Sequence, residues 1–205
     1  MPLELWLTFV LASTALLLIP GPTVLLVLSY ALSKGRSVAI ASAAGVATGD
    51  FIAMSLSLAG LGALVLASAT LFTVLKWAGA LYLVWLGIKL LRSAPTALRV
   101  PRAQVTARGV YAHAALVTAL NPKSIAFFIA FVPQFLRPGA PLLPQFAILI
   151  ATFVTLATIN ALAYALAADR LRSAIGRPAV IGWLTRAGGA ALIGMGLLTA
   201  TLRRS

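Results

Sequence analysis

Between Glu4 and Lys34 the chain carries no charged side chain, and in the middle of that run stands Pro20-Gly21-Pro22. These two features pull against each other. A helix crossing a bilayer core needs about 20 apolar residues, which the run supplies. Two prolines and a glycine in three residues stop a helix, because each proline lacks an N–H and clashes with the preceding turn. Broken backbone at membrane depth is tolerated only where protein buries it or where it lines a cavity. The chain must therefore fold so that the break meets protein or a polar solute, not lipid.

The rest of the sequence agrees with a membrane setting. Of its 205 residues, 61% are hydrophobic and only 9% charged, against about 25% charged in a soluble domain. Six apolar spans with short loops fill the length and leave no room for a soluble catalytic domain. The spans are read as Leu5–Tyr30, Val38–Ala67, Leu71–Leu91, Val110–Leu136, Leu142–Ala168 and Ala179–Leu202. These runs are too long and continuous for the alternating strands of an outer-membrane barrel. The expected fold is an all-α integral membrane protein, one domain over residues 1–205, with six transmembrane helices arranged as two inverted three-helix repeats. Repeat one covers about 1–92, a cytoplasmic loop about 93–109, and repeat two about 110–205.

The net charge of +13 does not point to nucleic acid, because the positive charges lie between apolar spans and not on one solvated face. Lys34 and Arg36 follow span one. Arg92, Arg99, Arg102 and Arg108 follow span three, and Arg170, Arg172 and Arg177 follow span five. By the positive-inside rule those loops are cytoplasmic, which places both termini on the outer side. Arg137, Arg203 and Arg204 on the opposite side pull the other way. The basic loops also meet anionic lipid headgroups. There is no cysteine, which excludes disulfides, thiol chemistry and cysteine-based metal sites. The N-terminus has no basic n-region, Glu4 being its only charged side chain, so the first span is expected to remain in the mature chain.

The two halves resemble each other. "AGALYLVWLG" (78–87) in span three aligns without gaps with "AGGAALIGMG" (187–196) in span six. Ala78, Gly79, Leu83 and Gly87 match Ala187, Gly188, Leu192 and Gly196. The break at Pro20-Gly21-Pro22 in span one has its counterpart at Asn121-Pro122 in span four. An odd number of spans per half turns the halves in opposite senses, and interrupted helices at matching places point to a midplane binding site.

Few residues in the spans carry chemistry. Asp50 is the only acid away from the span ends. A charged Asp at the bilayer centre costs about 2.5–3.5 kcal/mol on insertion scales, so it needs a proton, a cation or a substrate ammonium, or an internal structural partner. Ala41, Gly45 and Gly49 form a small-residue stripe beside it, suited to close helix packing. Lys123 is the matching cation at membrane depth. It is placed to pair with Asp50, to receive a carboxylate, or to snorkel toward the interface. Asn160 and Tyr82 are polar groups in apolar surroundings, read either as lining a cavity or as bridging helices. Lys76, Lys89 and Arg186 lie within reach of an interface. His113 is the single histidine, too little for a metal site. Trp6, Trp77 and Trp183 sit near span ends as interfacial anchors, and Trp85 lies deeper.

Three stretches together resemble the LysE/RhtB-type amino-acid exporters. They are "IPGPTVLLVLSYALSKGRSVAIASAAGVATGD" (19–50), "KWAGALYLVWLGIKLLRS" (76–93) and "NPKSIAFFIAFVPQF" (121–135). The resemblance implies export of amino acids or their derivatives across the bacterial inner membrane, driven by proton motive force. Carried over by position, it implies functional roles for Pro20, Gly21 and Pro22, for Gly49 and Asp50, and for Asn121, Pro122 and Lys123. The expected partners are an amino-acid substrate, protons and membrane lipids, with a homodimer left open; no cofactor, metal or nucleic acid is expected.

Other classes fit less well. There is no nucleotide-binding loop, so ATP is not the direct driver. A serine intramembrane protease lacks its G-x-S-x-G, and an aspartyl one would need two embedded acids and a glycine where Ala47 stands. A channel calls for polar rings that the spans do not supply. A metal exporter of the same fold remains an alternative, although the lack of Cys and a single His argue against soft metals. The loop charges yield a direct test. A cysteine placed at Ser205 in this cysteine-free chain is expected to react with a membrane-impermeant maleimide added outside whole cells; protection from it would reverse the orientation.

Overall fold

The computed structural model describes residues 1–19, 21–34, 36–67, 69–92, 106–137, 139–175 and 178–201. Pro20, Arg99, Arg102, Arg177, Arg203, Arg204 and Ser205 lie outside the described residues, as do the side chains of Lys34, Arg36, Lys76, Asp169, Arg170 and Arg172. Every regular element among the described residues is helical. In chain order they are α1 (Leu3–Leu18), α2 (Pro22–Lys34), α3 (Arg36–Ala67), α4 (Ala69–Arg92), α5 (Ala107–Ala119), α6 (Pro122–Ala130), a 3-10 turn (Val132–Phe135), α7 (Leu142–Ile175) and α8 (Pro178–Thr201).

Two helices are long and apolar enough to cross a membrane unaided: α3 over Val38–Ala63 and α7 over Leu142–Ala168. Two more crossings result if each broken pair is one span. The pair α1 and α2 bends by 59°, and α5 with α6 bends by 43°. The breaks fall where the prolines demand them. Pro22 opens α2 and Pro122 opens α6, the first-turn position where a missing N–H costs nothing. Asn121 caps α6 by accepting from the Lys123 N–H at 3.1 Å. Thr106 caps α5 in the same way, accepting from Gly109 at 3.1 Å.

Helix directions follow from which residues meet. Gly45 of α3 lies against Tyr111, Ala114 and Ala115 of α5, and Gly49 against Ala115, Thr118 and Ala119. Both indices rise together, so α3 and α5 run parallel. Gly87 of α4 lies against Gly189 and Ile193 of α8, whereas Gly196 lies against Ala80 and Val84. One index falls as the other rises, so α4 and α8 run antiparallel. Trp6 donates to Thr152 at 3.0 Å, Asn160 to the Leu17 carbonyl at 3.1 Å and Tyr164 to the Leu18 carbonyl at 3.2 Å, which makes α1 and α7 parallel.

Apolar packing closes one end of this assembly with aromatic rings. Phe9, Phe127, Phe128, Phe131, Phe135 and Phe153 are buried, with neighbouring ring centroids 4.8 to 6.1 Å apart. Most of those contacts are edge-on or tilted, the arrangements that ring quadrupoles favour. The outer flanks carry exposed Leu, Ile, Val and Trp side chains, Leu56, Leu81, Leu166 and Trp183 among them, as a lipid-facing surface does. Trp85, read as the deeper tryptophan, is half exposed and lies 5.1 Å beneath the Lys89 ammonium, a cation–π contact.

The small-residue stripe on α3 is an axis of close approach. A Cβ added to Gly49 would stand 2.5 Å from the Ala115 carbonyl oxygen and 2.7 Å from the Thr118 Cβ, whereas one added to Gly60 meets nothing within 4 Å. Relieving Gly in a helix ordinarily gains roughly 0.5–1 kcal/mol, and overpacking costs about 1–3 kcal/mol. Clash wins at one position and propensity at the other. Gly49→Ala should lower the thermal midpoint in detergent, and Gly60→Ala should leave it unchanged or raise it slightly.

Candidate functional site

The two helix breaks face a common cavity of about 30 Å³, closed in by α1, α2, α3, α6 and α7. Its polar lining is Thr23, Asp50, Asn121, Lys123, Ser124, Asn160 and Tyr164, with Gly21 also present. Of the residues singled out in the sequence, Gly21, Asp50, Asn121, Lys123 and Asn160 are thus brought together. Pro22 and Pro122 are exposed and contribute the breaks, not the lining. Tyr82 stands elsewhere, half-buried on α4 and packed against Trp85 at a ring separation of 5.4 Å. Pro20 is outside the described residues.

Most of the polar groups around the α1 end are hydrogen-bonded to one another or to backbone. The last carbonyls of a helix have no partner within it. At the end of α1 those of Leu16, Leu17, Leu18 and Ile19 are each met by a side chain from elsewhere. Lys123 Nζ donates to Leu16 at 3.1 Å and to Ile19 at 3.0 Å. Asn160 takes Leu17 and Tyr164 takes Leu18. An ammonium suits this place twice over, since the C-terminal end of a helix carries partial negative charge. The second break is satisfied more locally. Leu120 N–H returns to Leu116 at 3.0 Å and Asn121 N–H to Thr118 at 3.1 Å. Asn121 Nδ2 donates to Thr23 Oγ1 at 3.2 Å, tying the start of α6 to the first turn of α2.

Asp50 is the buried charge-bearing group of the site that lacks a partner. It is only 2% exposed, and its Oδ1 has no hydrogen-bond partner. Lys123, 7% exposed and lining the same cavity, does not close an ion pair with it; two of its three N–H donors are committed to the α1 carbonyls. Lys123 is therefore neither snorkelling nor paired with Asp50. The site presents an unpartnered carboxyl oxygen, a helix end neutralised by a tethered ammonium, and the first turns of α2 and α6.

Thr23, Ser124 and Tyr164 were not singled out in the sequence. Tyr164 had a readable signal, since it lies four residues after Asn160 and shares its helix face. Thr23 and Ser124 each stand in the first helical turn after a break, where side chains reach the cavity. His113 lies apart, its Nδ1 2.8 Å from the Tyr30 hydroxyl, joining α5 to α2.

Comparison with known proteins converges on one family. The family model described as LysE type translocator matches residues 14–203. A homoserine/homoserine lactone efflux protein of Salmonella typhimurium is 37% identical, with all of both chains covered. An uncharacterized membrane protein of Vibrio cholerae is 34% identical over 99% of this chain and all of its own. A leucine efflux protein of Salmonella choleraesuis is 35% identical over 68% of this chain and 66% of its own. No solved structure matches.

The capping geometry predicts what removing one donor does. Asn160→Leu keeps the branched shape, with methyl groups in place of the amide atoms, but leaves the Leu17 carbonyl without its partner. The expected loss is about 1–3 kcal/mol, read as a lower thermal midpoint in detergent. Asn160→Gln, which retains the amide, should recover part of it.

Proposed function

The chain belongs to the LysE type translocator family, and from that premise we propose that it exports an amino acid or amino-acid derivative across the bacterial inner membrane by exchange with protons. It is a membrane translocator and not an enzyme. The observation that carries the finer reading is the buried, unpartnered Asp50 oxygen in a small cavity between two broken helices. A carboxyl so placed has two productive partners: a proton, or the ammonium of a substrate. The homoserine, homoserine lactone and leucine in the relatives' names all carry an amino group that Asp50 would receive. A substrate carboxylate or carbonyl would meet the first-turn N–H groups of α2 and α6, where helix ends favour negative charge.

Size supports a carrier over a pore. A cavity of about 30 Å³ has room for roughly two waters, at about 10–15 Å³ each, and an amino acid is larger. The site must widen on one side to load and on the other to release. This is the behaviour of a site closed alternately by opposed halves.

An inverted repeat would supply those halves, and the α4/α8 contact supports it. Residue 87 meets 189 and 193, and residue 196 meets 80 and 84. The offset that aligns 78–87 with 187–196 converts the first set of contacts into the second. Such an exchange between antiparallel helices is what a two-fold axis perpendicular to them produces. With α4 and α8 as third and sixth crossings, the parallel pairs α3/α5 and α1/α7 also fall in place, since alternate crossings share a direction. On this reading the termini face outward and the basic loops face the cytoplasm.

Asp50→Asn is nearly isosteric and is expected to leave the fold and substrate exchange intact. It should abolish export driven by a pH gradient in proteoliposomes, because exchange needs no net proton movement and net export does. Uphill export by purified Asp50→Asn protein with unchanged pH dependence would make Asp50 structural.

A further inference from the structure

Lys123 does more than supply a hydrogen bond. Its Nζ stands between the carbonyls of Leu16 and Ile19, 3.1 and 3.0 Å away, at the C-terminal end of a helix broken in mid-membrane. Unwound carbonyls and helix C-terminal ends at such breaks are where broken-helix carriers hold a coupling sodium ion. The seat here has the parts a monovalent cation needs: two backbone carbonyl oxygens, the negative end of α1, and the Asp50 carboxyl in the same cavity. It is filled by the chain itself. The path to it is also built in. A Cβ on Gly21 would lie 3.3 Å from Nζ and 3.4 Å from Cε of Lys123, so the lysine stem runs over a residue with no side chain.

We propose that Lys123 is a tethered cation occupying the seat of a coupling metal ion, which makes this translocator independent of sodium, and that removing its side chain uncovers a site for a small monovalent cation at the Leu16 and Ile19 carbonyls, with the Asp50 carboxyl of the same cavity as its counter-charge. The inference deepens the export reading, but its principal test reads binding and not transport. Lys123→Ala protein is prepared with methylammonium present throughout, then exchanged into sodium, methylammonium or bulky N-methylglucamine at constant ionic strength. The expected result is a saturable rise of roughly 5–10 °C in thermal midpoint at 100 times Kd for sodium or methylammonium over N-methylglucamine. Wild type should show no difference among the three. The rise should be lost in Lys123→Met, whose side chain fills the space without charge, and in Lys123→Ala/Asp50→Asn, which lacks the counter-charge in the cavity. No cation-specific shift in Lys123→Ala, or an equal shift in Lys123→Met, would overturn the proposal. So would a Lys123→Ala chain that fails to fold even with methylammonium. A wild-type measurement stands beside these: substrate exchange in proteoliposomes should proceed at the same rate with sodium replaced by N-methylglucamine, and a several-fold loss would equally reject a self-contained seat. If the cation shift is found but no amino acid is exported, the seat stands and the export reading falls.

Discussion

The constraint on which the structure depends is that backbone carbonyls cut loose inside a membrane must find donors within the protein. Stopping α1 at Leu18 frees a set of carbonyls, and in hydrocarbon each unsatisfied group costs several kcal/mol. Three side chains answer them: Lys123 from α6, and Asn160 and Tyr164 from α7. That single need fixes where α6 and α7 stand relative to α1, and through them where the cavity lies. It also explains why a chain poor in charge retains a lysine at membrane depth, since the ammonium replaces water for two carbonyls and opposes the end of the helix dipole.

Close helix packing supplies the rest of the frame. With lipid as apolar as the side chains, helices gain little from burial alone and associate through tight contact. Gly45 and Gly49 let α3 approach α5, and Gly87, Gly189 and Gly196 let α4 approach α8. The first contact holds Asp50 at the cavity, because Gly49 seats α3 on α5 one residue before it. The second contact lies away from the cavity.

Much of this was legible in the sequence, and for physical reasons. Prolines at 22 and 122 forbid helix continuation wherever they occur, so both breaks could be placed within a residue or two. Asp50 and Lys123 stand out because charge in hydrocarbon is costly, and both line the cavity. Glycines at every fourth position mark close packing. What stayed hidden was which partner each polar group takes. Asp50 and Lys123 look like a pair on charge alone, yet the ammonium goes to the Leu16 and Ile19 carbonyls, groups that every sequence contains and no pattern advertises. Tyr82 and Tyr164 look alike in a hydropathy trace; only three-dimensional neighbours separate the one packed on Trp85 from the one capping Leu18. Gly21 reads as a turn residue, and its use as clearance for the lysine stem needs the contact to be seen.

The two breaks are not equivalent, and this bears on which one moves. The α5/α6 break is held mainly by its own neighbourhood: Leu120 and Asn121 bond back to Leu116 and Thr118, and the Asn121 side chain caps the helix it precedes. Side chains at its start still reach outward, Asn121 to Thr23 and Lys123 to the α1 carbonyls. The α1/α2 break is held by donors on other helices. Moving α1 away from α6 and α7 breaks four bonds together, two neutral and two charge-assisted, a cost on the order of 4–9 kcal/mol in net terms. A change of that size does not occur often unless something repays it, and a ligand repays only what it binds better in the new state. A solute able to do so must donate to carbonyls and accept from Lys123 or the helix N-termini at once. An amino acid has both functions, on atoms a few bonds apart. On the proposed export reading, the hydrogen bonds of the first break are the ones that loading of such a solute would have to replace.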